Sequence, residues 1–291
     1  MTNDLPDAVG GALDWGAAVL LTHECAAGDA EREASDLLAF ALGFERAALF
    51  AATDGSLPPD VQKRFRDLIS RRLGHEPLAH LLGTAWFLGR EFVVTKDTLI
   101  PRPATESIVE AAISSARAVG AKNVIDVGTG SGIIAVSLAL AVPTATTWAT
   151  DVSAAALAVA MNNAVRLGAD VKFLCGDILS PVPDAAFVGP TVIVANLPYI
   201  PDDDWETLIP DIRDFEPKST LTAGPDGLDA YRKLIGQARA RMTARPFAVV
   251  MEILPEQFEP LAALIRAAWP KVQVTPVQNL TDVTVGLAAA I

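Results

Sequence analysis

Apolar residues recur at helical spacing through the first quarter of the chain. Leu13, Ala17, Leu20 and Leu21 fall together, as do Ala34, Leu37, Leu38, Ala41 and Leu42, which run into the stop signal Gly43. Pro58-Pro59 opens a third amphipathic segment in which Val61, Phe65, Leu68 and Ile69 share one face. This spacing predicts a small helical domain from about Ala12 to Gly74.

The period then changes. Trp86-Phe-Leu88 and Phe92-Val-Val94 flank a Gly89-Arg90 turn, which predicts a strand-turn-strand unit. A proline-punctuated loop, Ile100-Pro-Arg-Pro-Ala104, leads to a helix from about Thr105. Beyond it, short apolar runs alternate with amphipathic ones. Strands are expected at 123–127, 146–150, 171–174, 191–195 and 247–252. Helices are expected at 133–140, 154–167, 228–242 and 256–268. Two final strands, 272–277 and 283–288, can pair as a hairpin. Alternation of this kind predicts an α/β fold with a mostly parallel sheet, helices on both faces and an antiparallel C-terminal hairpin. The expected organisation is a helical domain over 1–83, a hairpin and proline-rich linker over 84–104, and a catalytic domain over 105–291.

Composition narrows the class. A chain of 291 residues, 51% hydrophobic, can bury a sizeable core. No apolar run approaches the roughly 20 residues of a membrane span, and the N-terminus lacks the basic start of a signal peptide. Cytoplasm is the expected compartment, and a monomer the expected state. Cys25 and Cys175 lie far apart and read as buried thiols rather than a disulfide or metal site. A net charge of −12 argues against a stable nucleic-acid partner, because phosphate binding normally needs a basic face. The local cluster Lys63, Arg64, Arg66, Arg71 and Arg72 reads as a solvated helix face. His23, His75 and His80 all fall before the expected catalytic sheet, which weakens hydrolase and metal-site readings.

Candidate chemistry concentrates in two segments. In Asp126-Val-Gly-Thr-Gly-Ser-Gly132 a buried strand runs into a glycine turn, where Gly128, Gly130 and Gly132 let the backbone bend tightly and approach a ligand. Thr129 and Ser131 are carried on the same turn. The G-x-G-x-G spacing differs from the dinucleotide G-x-G-x-x-G, and no Gly-Lys-Ser/Thr follows. Asp151, at the end of the next strand, is placed to accept both ribose hydroxyls of an adenosyl group. Asp177 could receive an adenine amino group and Ile178 cover the ring. Asp126 either stabilises the loop or faces the sulfonium end of a cofactor.

The second segment is Asn196-Leu-Pro-Tyr199, at the C-terminal end of a buried strand. Ligands of open α/β sheets bind at these strand ends, so Asn196 should share a crevice with the glycine turn. An amide nitrogen is a poor nucleophile because its lone pair is delocalised. The Asn196 side-chain oxygen and the Leu197 carbonyl could each accept one N–H of a substrate NH2 group, and so orient it and support developing positive charge. Tyr199 offers a flat aromatic face for a planar or cationic group. Together the segments point to S-adenosylmethionine-dependent methylation of a planar nitrogen, with no separate general base and no metal. They leave adenine and glutamine both open.

Over nearly its full length the chain resembles the release-factor glutamine N5-methyltransferases (the HemK/PrmC family). The resemblance is carried by Leu68-Ile-Ser-Arg-Arg-Leu-Gly-His-Glu-Pro-Leu78 with Leu82-Gly83, and by Leu99-Ile-Pro-Arg-Pro-Ala-Thr-Glu106. It is carried also by the two segments above, and by Ile212-Arg-Asp-Phe-Glu-Pro217 with Gly224-Pro-Asp-Gly-Leu228. It implies a class I methyltransferase sheet that methylates the glutamine in the Gly-Gly-Gln tip of a peptide-chain release factor. Gly128 to Gly132, Asp151 and Ile178 would then hold S-adenosylmethionine. Asn196 would touch cofactor and substrate, Leu197, Pro198 and Tyr199 would complete the glutamine pocket, and the helical domain would dock the release factor. Three positions depart from the family pattern. Leu197 replaces a proline but keeps the carbonyl, Ala104 replaces a glutamate, and Thr281-Asp-Val-Thr-Val-Gly286 lacks a common arginine. Asn-Leu-Pro-Tyr also occurs in rRNA adenine dimethylases, so adenine-N6 methylation of rRNA or DNA is the alternative. A cofactor-fold binding module without activity is a third reading, opposed by the intact Asn196 and Tyr199.

Overall fold

The computed structural model describes residues 5–23, 29–242 and 246–290. The chain forms two compact units, one of Met1–Gly83 with Ile209–Phe215, the other of Thr84–Leu208 with Glu216–Ile291. Cys25 lies outside the described residues, as do the first four residues of the N-terminus.

The first unit packs α1 (Val9–Leu20), α2 (Ala30–Leu42), α3 (Arg46–Ala51), α4 (Pro59–Leu73) and α5 (Leu78–Leu82) around one apolar cluster. The buried stripe of α1 is Val9, Ala12, Gly16 and Leu20; of the expected residues Leu20 is buried, Leu13 and Ala17 pack partly buried against the same cluster, and Leu21 is exposed. A Cβ at Gly16 would stand 2.7 Å from the Phe65 ring, so the glycine lets α4 press against α1. Residues 34, 37, 38 and 41 of α2 are buried as expected, and Gly43 ends the helix with φ +71. The basic cluster on α4 needs one correction. Lys63, Arg64, Arg66 and Arg71 are exposed, but Arg72 is buried. Its guanidinium pairs with Glu33 at 2.7 Å and Asp211 at 2.8 Å, which balances a charge that water no longer reaches. Asp211 also faces the His75 ring, at 2.8 Å.

The second unit begins with a hairpin, β1 (Thr84–Phe87) and β2 (Arg90–Val93), followed by α6 (Pro103–Val119). Then β3 (Asn123–Val127), α7 (Ile133–Ala141), β4 (Thr146–Asp151), α8 (Ala154–Leu167), β5 (Val171–Cys175) and β6 (Thr191–Ala195) follow in turn. After a long connection come α9 (Asp229–Arg241), β7 (Phe247–Glu252), α10 (Phe258–Ala268), β8 (Gln273–Gln278) and β9 (Thr284–Ala290). The seven strands run in the order β5-β4-β3-β6-β7-β9-β8. The first five are parallel, and β9 pairs antiparallel with both β7 and β8. The expected α/β architecture with its antiparallel edge is present.

Strands β3, β6 and β7 are buried along their whole length, which matches their continuous apolar runs and the helices on both faces. One core gathers α9 and α10 against the sheet, the other α6 and α7. Cys175, expected to be buried, is exposed and free. It ends β5, an edge strand covered less completely than the centre. Because β3 neighbours both β4 and β6, the strand order reverses between β3 and β6. A crevice opens at that point, beyond the C-terminal ends of the strands. Among the described residues, no helix is long and apolar enough to cross a membrane.

Candidate active site

A cleft of about 480 Å³ opens at this switch point. From the turn after β3 it takes Gly128, Thr129, Gly130 and Ser131. Asp151 comes from the end of β4, Asp177 and Ile178 from beyond β5, and Asn196, Leu197 and Pro198 from beyond β6. Three expected residues do not line it. Asp126 lies beneath the turn, Gly132 faces α8, and Tyr199 turns toward β7.

The glycine turn is fastened from several sides. The N–H groups of Gly128 and Thr129 both donate to the Thr150 carbonyl, each at 2.9 Å. Gly130 N–H donates to Asp151 Oδ2 at 2.9 Å, while Ser153 N–H donates to Oδ1 at 2.8 Å. Both carboxylate oxygens are thereby oriented, and each keeps a lone pair for an incoming hydroxyl. Buried Asn163 on α8 donates to the Ser131 carbonyl at 2.8 Å and exchanges two hydrogen bonds with the backbone of Val93. The hairpin thus braces the turn.

Glycine is required here for two different reasons. At Gly128, φ is +74 and a Cβ would stand 2.8 Å from a Leu197 methyl, so the two motifs pack directly. Gly130, with φ +55, faces open space, and its backbone is free for close approach by a ligand.

Asp126 is fully buried. Its Oδ2 accepts from the Thr129 hydroxyl at 2.6 Å and from Ala135 N–H at 3.0 Å, while Oδ1 has no partner. These bonds tie the turn to the start of α7. Burial pushes the carboxyl up to about 7, although both hydrogen bonds act in the opposite direction.

Toward the other end of the cleft, Asp177 forms an ion pair with Lys233 of α9, which also lines the cleft. Lys233 therefore competes for the carboxylate assigned to an adenine amino group. Ile178 holds φ +54, a costly conformation for a β-branched residue. Its neighbours keep it there. Gln237 accepts the Leu179 N–H at 2.8 Å, and Arg241 caps the carbonyls of Leu179 and Val182.

The Asn-Leu-Pro-Tyr segment rests on groups that sequence reasoning missed. Asn196 donates its amide Nδ2 to the Thr105 hydroxyl at 3.2 Å. Tyr199 donates its hydroxyl to Glu252 Oε1 at 3.0 Å. Leu197 N–H meets the buried Tyr231 hydroxyl, which donates in turn to the Glu252 carbonyl. Gln257 Nε2 donates to the carbonyls of Tyr199 and Asp226, at 2.7 and 2.9 Å. Gly227 makes that knot possible, because a Cβ there would collide with the Tyr199 carbonyl oxygen. Burial raises the Tyr199 hydroxyl above its ordinary range, and the Glu252 charge adds to the effect. Arg102 reaches the cleft from the proline-rich linker and is paired with buried Glu216, which also accepts Ile100 N–H at 3.0 Å. One signal could have found Glu252. It is a lone acid at the C-terminal end of a buried parallel strand, where such sheets build their sites.

Among the described residues, no group of acids, histidines and cysteines is arranged to hold a metal. The cleft suits a nucleoside bearing hydroxyls and a flat ring, with an oriented amide at the opposite end.

Comparison with known proteins agrees with this geometry. Residues 11–83 match the PrmC N-terminal domain, and residues 124–215 match a methyltransferase domain. A release factor glutamine methyltransferase of Geobacter sulfurreducens is 42% identical over 226 residues, covering 78% of this chain and 77% of the relative. Its namesake from Bordetella pertussis is 44% identical over 236 residues, covering 81% and 86%. Among solved structures, the hMettl16 catalytic domain in complex with an MAT2A 3'UTR hairpin aligns with a TM-score of 0.53 at 19% identity, covering 77% of this chain and 80% of that one. At that identity the likeness concerns the fold alone.

Proposed function

Because the chain belongs to the release factor glutamine methyltransferase family, we propose that it methylates the side-chain amide nitrogen of the glutamine in the Gly-Gly-Gln tip of a peptide-chain release factor. The observation that carries this reading is the oriented Asn196 amide, set at the cleft beside a glycine turn built for a nucleoside.

S-adenosylmethionine, when bound, supplies an electrophilic methyl group carried on a sulfonium. The protein holds it through the backbone of Gly128 and Gly130, with Thr129 and Ser131 beside them. The Asp151 carboxylate takes the ribose hydroxyls, and Ile178 covers the adenine with Asp177 at its edge. Asp126 acts from below, by keeping the turn in shape. Asn196 Oδ1 and the Leu197 carbonyl accept the two N–H bonds of the glutamine amide. They fix the direction of its nitrogen and stabilise the positive charge that grows there as the new bond forms. Pro198 completes the pocket wall around the planar amide, and Tyr199 supports the segment from behind through its hydrogen bond to Glu252. Once the nitrogen has become cationic its proton is acidic enough to leave to water, so no dedicated base is required.

In this reading the unit built on residues 1–83 docks the release factor, residues 84–104 form the hairpin and linker, and residues 105–291 carry the chemistry. The protein works as a monomer in the cytoplasm, without metal and without a stable nucleic-acid partner.

The test offers labelled S-adenosylmethionine with intact release factor in one reaction and total RNA in another. Label in the protein supports the proposal. Label in RNA alone would move the substrate to adenine.

A further inference from the structure

Glu252 sits behind the motif and does not line the cleft. It is only 1% exposed, yet it carries a carboxylate at the centre of a polar cluster. Oε1 accepts from Tyr199. Oε2 is buried and closes no full hydrogen bond, while the polar ends of Thr105 and Asn196 lie against the same carboxylate. The positive charge of Arg102 acts on it from the linker side. Burying an acid at the heart of an apolar sheet is costly, and an amide or leucine of similar size would fill the space without that penalty.

The geometry points to a use for the charge: we infer that Glu252 is a positioning residue that sets which end of the Asn196 amide faces the substrate. An asparagine amide has two nearly isosteric ends, and only one suits this chemistry. With Nδ2 turned to the Thr105 hydroxyl and the Glu252 carboxylate, Oδ1 is left toward the cleft as an acceptor. Inverting the amide would place Oδ1 against a carboxylate and present a donor to the substrate's own N–H groups. Both changes are repulsive. Oε1 accepts from Tyr199 and the polar ends of Thr105 and Asn196 lie against the same carboxylate, so one group bears on both motif residues. Burial, the largest influence, holds the Glu252 carboxyl above its ordinary range, while Thr105, Tyr199, Asn196 and Arg102 act in the opposite direction. Thr105 stands in the first turn of α6, directly after the proline-rich linker, which ties the start of that helix to amide orientation.

This inference rests on the proposed methyl transfer to an amide, and the experiment separates the two. Glu252→Gln keeps the shape but leaves one acceptor oxygen where two were available. The expected result is a fall in kcat of roughly tenfold to a hundredfold. The dissociation constant for S-adenosylmethionine should stay within about twofold, and the KM for release factor should change little, because neither binding surface is touched. The thermal midpoint should hold or rise, since a buried charge has been removed. Thr105→Val, which removes the acceptor for Nδ2, should lower kcat in the same way. The double variant should be little worse than either alone, because both act on one amide. Wild-type kcat in folded Glu252→Gln overturns the inference, and so does a parallel loss of cofactor binding. If that variant does not fold, wild-type kcat in Thr105→Val overturns it equally. Absence of transfer by the unaltered protein would instead remove the proposed function itself.

Discussion

Gly130 donates its backbone N–H to the Asp151 carboxylate at 2.9 Å, so the glycine turn after β3 is latched to the end of β4. The same carboxylate is the one expected to take the ribose hydroxyls. It therefore shapes the turn, and in the proposed function it also takes the ligand's hydroxyls. Asp151→Ala should weaken S-adenosylmethionine binding by about tenfold to a hundredfold, the range for losing one or two charge-assisted hydrogen bonds. Titration calorimetry checks this. Saturating cofactor should restore most of kcat.

Asn196→Ala should behave differently. The methyl acceptor loses an oriented hydrogen bond that strengthens as charge develops, so kcat should fall by roughly a hundredfold to a thousandfold. Cofactor affinity should change far less than in Asp151→Ala. Equal loss of cofactor binding in both variants would contradict this division of roles, and steady-state kinetics beside calorimetry will distinguish them.

Gly227 tests the knot behind Tyr199. A Cβ at this position would collide with the Tyr199 carbonyl and stand 2.6 Å from Gln257 Nε2, with φ already at +71. Gly227→Ala should lose about 2 kcal/mol or more of stability, through backbone strain and a broken buried hydrogen bond. Gly43→Ala is the control, since nothing lies within 4 Å of its Cβ direction and only the φ penalty applies. Denaturant unfolding of the two variants should show the larger loss at residue 227.

Asp126 gives a pH signature. Its carboxyl is raised from 3.8 to about 7 in the folded protein, because burial disfavours the charge. Between these values the folded state holds a proton that the unfolded state has released. The contribution of this residue is therefore fully present below pH ~4 and is lost as pH rises toward ~7, by on the order of a few kcal/mol. Asp126→Asn should flatten this part of the stability profile while keeping an acceptor for the Thr129 hydroxyl and Ala135 N–H. Thermal midpoints of both proteins across that pH window will show whether the slope belongs to this residue.

The sheet was legible because β3, β6 and β7 are continuous apolar runs separated by helical segments, of which α8 and α9 are amphipathic and α7 is apolar almost all round. The glycine turn was legible because three glycines at alternate positions follow a buried strand, and Asn196 because ligands of open α/β sheets bind at the C-terminal strand ends. Harder to read were the residues that act through others. Thr105, Tyr231, Glu252 and Gln257 carry no periodic or spacing signal, since their partners lie 21 to 91 positions away and meet them only in the folded chain. Buried Arg72 was misread for a related reason. Its sequence neighbours are exposed arginines, and its partners, Glu33 and Asp211, come from distant segments. On α1 the most buried face includes Gly16, which carries no hydrophobic signal but leaves room for the Phe65 ring, and of the expected residues only Leu21 falls outside the packed face.

The central claim is that Asn196 presents a glutamine side-chain nitrogen for methylation. Tandem mass spectrometry of the release-factor tip peptide, after reaction with purified protein and S-adenosylmethionine, tests it most directly. The expected spectrum carries one added methyl on the glutamine side chain of the Gly-Gly-Gln tip, and far less of it after reaction with Asn196→Ala for the same time. An unmodified tip, or a methyl on any other residue, would contradict the account.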